Sequence, residues 1–184
     1  MKYMNELIKI TINKYFRYND TADYLSKCKR SISIPTEVEL FVENNNIKIM
    51  NTNYGEVWPS SKIIFEYKKF IKGEFEVKYS STLLISKLAP VCYLQHEFQI
   101  ENQDVNRTVP TLEGFDLQPY CSKQQELENV IKNIFSKKGY IFLSYSELNE
   151  VICSLDYNRK TTFFGPQLTV EHVMFFDVLD LCPE

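Results

Sequence analysis

The sequence predicts an α+β domain: an antiparallel sheet of about five to seven strands, with two or three helices packed mainly on one face. Three observations predict it. Apolar and polar residues alternate with period two in several stretches between residues 37 and 101, the pattern of half-buried strands. A stripe at helical spacing occupies 122 to 138. The chain also has only two alanines, Ala22 and Ala89, against 13 phenylalanines and 12 tyrosines. That balance favours strands, because alanine is the best helix former and aromatic residues suit a pleated surface. The length of 184 residues predicts one domain over 1–184, able to bury roughly 70% of its unfolded surface without a metal or disulfide.

The elements follow in order. Residues 5 to 17 fit two readings: Ile8, Ile12, Tyr15 and Phe16 have helical spacing, while Ile8, Ile10 and Ile12 also alternate, and Asn5 as an N-cap favours helix. Thr21 to Arg30 predicts a short second helix. From Glu37 the period changes: Val38, Leu40 and Val42 alternate with Glu37, Glu39 and Phe41. Asn44, Asn45 and Asn46 follow, so a β-hairpin is expected through Ile47 and Ile49. Residues 51 to 61 read as a loop. Ile63, Phe65 and Tyr67 predict a strand, and Phe75, Val77 and Tyr79 another, with 82 to 88 continuing the sheet.

Residues 91 to 101 are the most regular stretch. Cys92, Leu94, His96, Phe98 and Ile100 share one face, which fixes the register, since a slip of one residue would expose them all. Residues 102 to 120 predict a long irregular connection. Ser122 and Gln125 form a candidate capping box ahead of Leu127, Val130, Ile131, Ile134 and Phe135, and Gly139 supplies the C-cap. Tyr140 to Tyr145 predicts a strand. Ser144 and Glu147 offer a second capping box, with Leu148, Val151, Ile152 and Leu155 behind it. Residues 168 to 181 fit a helix lined by Val170, Val173, Met174 and Leu181, or a buried strand over 168 to 176, and Pro166 and the β-branched content favour strand.

Composition narrows function. The net charge is −3, and the longest basic cluster, Lys27 to Arg30, reads as a solvated helix end. Nucleic acid is therefore not the expected partner. No run approaches the roughly 18 apolar residues of a membrane span. The five cysteines are widely spaced, with no CxxC, so free buried thiols in a reducing cytoplasm are expected. There is no GxSxG, GxGxxG or P-loop motif, and the two histidines stand far apart, so neither an enzyme, a cofactor nor a metal site is expected. His96 reads either as a base at the sheet surface or as a hydrogen-bonded core histidine, and its apolar face weighs toward the second. A small enzyme or ligand-binding pocket would draw on His96, Glu97 and the 102–120 connection.

Two features suit protein binding. Trp58 sits near Tyr54 and Glu56 in the 51–61 loop. It is either a contact residue, as exposed aromatics often are, or a plug over the end of the sheet. Glu37 with Glu39, and Glu74 with Glu76, form acidic pairs expected on strand faces. These acidic pairs, the segment Gly139-Tyr140-Ile141-Phe142-Leu143 between two capped helices, and an acidic, aromatic-rich, motif-poor chain of this length together resemble the immunity proteins of bacterial toxin–immunity systems. The resemblance implies a chain that binds one cognate protein toxin and occludes its working surface. Where that toxin is a basic nuclease, acidic residues would steer and aromatic residues would anchor.

Overall fold

The computed structural model describes residues 5–51, 57–106, 112–153, 155 and 167–183. Its centre is a seven-stranded sheet: β1 (Lys48–Asn51), β2 (Ser60–Glu66), β3 (Phe70–Lys72), β4 (Phe75–Ser86), β5 (Val91–Asn102), β6 (Leu112–Asp116) and β7 (Ile141–Phe142). The order is β1-β2-β4-β5-β6. β3 extends the line of β2 alongside β4, and β7 joins the start of β5. Every pairing is antiparallel except β7 with β5. The α+β class and the strand count are those the alternation predicts.

Among the described residues, six helices surround the sheet: α1 (Glu6–Ile12), α2 (Thr21–Cys28), α3 (Thr36–Asn44), α4 (Ser122–Lys137), α5 (Tyr145–Leu148) and α6 (Val170–Phe175). They are more numerous than the sequence suggests, and alternation along β4 and β5 divides them between two faces. Leu83, Ile85, Cys92 and Leu94 pack with Val38 and Val42 of α3 and Leu127, Ile131 and Phe135 of α4. Their neighbours Leu84, Val91 and Tyr93 pack on the other side, with α1 and α6. Among the described residues no helix is long and apolar enough to cross a membrane.

Several local expectations hold. Asn5 Oδ1 accepts from Leu7 N at 3.0 Å and starts α1, which continues as one π-helical segment, Asn13–Arg17. Ser144 and Glu147 form the reciprocal capping box: Glu147 N donates to Ser144 Oγ at 3.3 Å, and Ser144 N to Glu147 Oε2 at 2.8 Å. β3 and β4 meet in a tight hairpin with Gly73 at φ +60°, the sign its first turn position requires.

Others are corrected. Residues 36–44 are helix, not the first arm of a hairpin: Val38 and Val42 lie one turn apart on the buried side, and Leu40 is exposed. Asn46 does adopt positive φ (53°), but to end α3, with Ile47 N donating to Val42 O at 3.0 Å. The 102–120 connection contains β6. The Ser122/Gln125 box does not form. Cys121 occupies the N-cap position, and Gln124 Oε1 accepts from Tyr120 N instead. The helix expected to run on to Leu155 stops at Leu148, and Val151 makes an isolated bridge to Thr169. Residues 170–175 are helical, with His172 Nδ1 accepting from Thr169 N at 3.2 Å.

Candidate functional site

The sheet's two longest strands outrun their helical cover. On the α3/α4 side, the first turn of α4 sits at the level of Ser80 and Glu97: the Gln124 amide, fully buried, donates to Ser80 O at 2.8 Å and Glu97 O at 3.1 Å. Just beyond, the Tyr120 ring meets Phe98 edge-on at 4.6 Å. Phe98 in turn lies over Gly114 of β6, where an added Cβ would stand 2.6 Å from the Phe98 ring, so only glycine leaves room for it.

Past that border the inward pattern continues, with Val77 and Ile100 half-buried and the residues at its ends exposed. Phe70, Val77, Ile100 and Leu112 are successive cross-strand partners on β3, β4, β5 and β6, forming one apolar row. Phe70 is 58% exposed and Leu112 59%, and Phe75 beside the row is 47% exposed. Alternation had marked Phe98 and Ile100 as inward residues, and their face is the expected one. What periodicity lacks is where the covering helix starts.

The opposite side of the same strands is polar and holds a cavity of about 990 Å³, bordered by Glu66, Lys78, Gln95, Glu97, Glu113 and Phe115 among others. Glu97 Oε1 accepts from Gln95 Nε2 at 2.9 Å and Thr82 Oγ1 at 3.0 Å. Tyr93 Oη donates to Gln95 Oε1 at 3.2 Å. Lys78 is held by Glu101 at 2.8 Å and Glu76 at 3.3 Å. This cavity involves Glu97 and part of the 102–120 connection, as the ligand-binding alternative expects, but it lies across the sheet from His96.

His96 is sealed under α4, with no exposed surface. Its Nδ1 stands 2.8 Å from Ser81 Oγ, which is 3.1 Å from Tyr67 Oη. Its Nε2 is 3.7 Å from Glu128 Oε2, beyond hydrogen-bond reach, and has no hydrogen-bond partner among the described residues. Glu128 also ion-pairs with Lys132. Ser81, His96 and Glu128 thus resemble a relay in outline, but Ser81 and His96 have no surface from which to meet a substrate. Among the described residues no three His, Cys, Asp or Glu side chains gather into a metal-ligating group.

Burial holds the His96 pKa below its ordinary value; Glu128 and Asp116 pull it up and Lys132 pushes it down, but desolvation is the largest influence. The folded chain therefore keeps His96 neutral where the unfolded chain takes up a proton. Its contribution to stability is complete above about pH 6.5 and is lost as pH falls from there toward the depressed folded pKa. We expect the urea midpoint to drop between pH 7.5 and 5.5, and His96→Gln to drop less. His172, also depressed by burial, acts in the same direction, and Glu171, raised by burial, opposes it. Equal losses in the native chain and His96→Gln would rule out His96 as a source of the effect.

The other expected contact residues scatter. Tyr54 and Glu56 lie outside the described residues. Trp58 is half-buried and donates its backbone N–H to Cys28 O at 3.2 Å and its indole N–H to Phe175 O at 3.1 Å. It bridges the end of α2 and the end of α6. Glu37 and Glu39 are exposed, on the first turn of α3 and not on a strand. Glu74 is exposed in the β3–β4 turn. Glu76, only 9% exposed, is bound by Lys69 at 2.9 Å as well as by Lys78. No family model, curated protein or solved structure matches the chain.

Proposed function

We propose that this protein is a cytoplasmic binding module that neutralises a cognate bacterial toxin by direct contact, without a catalytic step of its own. The observation that supports this is the apolar row Phe70–Val77–Ile100–Leu112, flanked by Phe75. Large apolar side chains kept on the inward pattern, beyond the point where any described helix covers them, suit a surface completed by another protein. Exposed Glu74, in the turn of the hairpin carrying Phe70, and exposed Lys72, two residues on from Phe70 along β3, flank the row, so its border carries both signs. The net charge of −3, with Glu37 and Glu39 exposed on α3, favours a basic partner through the long-range field.

The test is growth. Expression of the toxin encoded beside this protein should stop growth, and co-expression of the native chain should restore it. A neighbour that is harmless alone, or still lethal with the native chain present, sinks the proposal.

The polar cavity favours a second reading, a ligand-binding domain using Glu97 and the β5–β6 segment. On that reading His96 serves as a buried support beneath β5 and takes no part in the chemistry.

A further inference from the structure

A second, smaller cavity, of about 430 Å³, lies at the far end of the sheet from the apolar row. It is bordered by Lys27 and Arg30 at the end of α2, Lys87 and Leu88 in the β4–β5 turn, and Lys138 and Tyr140 just past α4. Four cationic residues border it, and no carboxylate is among the bordering residues. None of the four has an ion-pair partner among the described residues, although the chain as a whole is acidic.

Part of this charge has a structural account. Two helices, α2 and α4, end at the cavity, and a helix C-terminus carries roughly half a negative charge. Two such ends offset about one cation, and Asp23, one turn before Lys27 on α2, acts on another, so about two stay uncompensated. Solvation alone explains the basic run Lys27 to Arg30 in the sequence, but it does not explain why Lys87 joins it from another element. Lys87 is partly buried, donates to Cys28 O at 2.8 Å, and has its pKa lowered by desolvation. An anion at its ammonium would offset that cost. The rest of the border is Ser31 and Ser86 together with an apolar part, Ile32, Leu88, Ala89, Pro90 and Tyr140.

We propose that this cavity binds a small phosphorylated molecule, its phosphate held by Lys27, Arg30, Lys87 and Lys138 and its body resting on the apolar border beside Tyr140. The site is independent of the toxin-contact row and stands or falls separately from it.

The probes are inorganic pyrophosphate, adenosine diphosphate and a single-stranded oligonucleotide, each titrated into the full chain while amide resonances are followed. Pyrophosphate should give saturable shifts confined to residues 27–32, 86–90 and 138–140, and adenosine diphosphate should bind more tightly through the added apolar body. Lys87→Gln, and separately Arg30→Gln and Lys138→Gln at more exposed positions, should each weaken binding by about ten-fold, the loss of one charge-assisted hydrogen bond. If Lys87→Gln does not fold, the other two variants carry the test. The proposal is overturned by shifts that sodium chloride reproduces at equal ionic strength, or by affinities unchanged in the variants. An oligonucleotide that binds more tightly than either small phosphate also overturns it, since the cavity would then belong to a nucleic-acid surface.

Discussion

Phe175→Ala should lower the free energy of unfolding by roughly 3–5 kcal/mol, the range for truncating a buried phenylalanine. Phe175 ends α6 with 1% of its surface exposed. α6 has six residues, too few to persist alone, so its place depends on packing and on what receives its final carbonyls. Ser86 Oγ donates to Met174 O at 2.8 Å, Ser60 Oγ to Phe175 O at 2.7 Å, and the Trp58 indole to the same oxygen. Side chains from β4, β2 and the segment before β2 thus satisfy the helix end, and the Phe175 ring fills the core between them. Urea unfolding at pH 7.5 measures the loss. A change below about 1 kcal/mol would mean the site collapses around the missing ring, and that α6 is held by its hydrogen bonds alone.

Phe70→Glu with Leu112→Glu should abolish protection against the toxin while leaving the fold intact. Each truncated anchor at an interface centre typically costs about 2 kcal/mol or more, close to thirty-fold in affinity, and a buried unpaired carboxylate costs further. Both positions are more than half exposed, so the effect on stability should stay within about 0.5 kcal/mol. Two readouts separate the outcomes: the urea midpoint should match the native chain, and growth under co-expression should fail. Growth fully restored by the double variant would show that the row is not the contact surface, whatever the chain binds elsewhere. Gln99→Glu, on the opposite face of β5, is the control and should still protect.

The strands were legible because their signal is redundant. Along β5, Cys92, Leu94 and His96 satisfy both the pattern and the burial it implies, and β4 repeats the pattern in register. α3 was misread because Val38 and Val42 meet two periods at once: four residues apart is two strand repeats or about one helical turn. The asparagines after it misled for a related reason. Asn46 has the positive φ a hairpin turn uses, but the same conformation ends a helix. In α6, β-branched residues argued for strand, while Val170, Val173 and Met174 are spaced as a buried helical side, and packing against β2 and β4 decided the matter.

The site was less legible than the fold. Trp58 and the acidic pairs stood out by residue type, but type does not reveal that Trp58 is consumed by Phe175 O or Glu76 by two lysines. Gln124, which fixes where α4 begins over the sheet, looked like any polar helix residue. The apolar row was invisible for a simple reason: a strand residue awaiting a helix of its own chain and one awaiting another molecule have the same sequence pattern.

The reach of β4 and β5, at 12 residues each, separates two jobs in space. Their inner halves are committed to packing, where almost any change is costly. Their outer halves and the flanking β3 and β6 carry exposed apolar side chains at Phe70, Phe75 and Leu112, positions that can change at little cost to the scaffold. The same division makes the overhang a natural place to graft randomised residues when new binding specificities are sought.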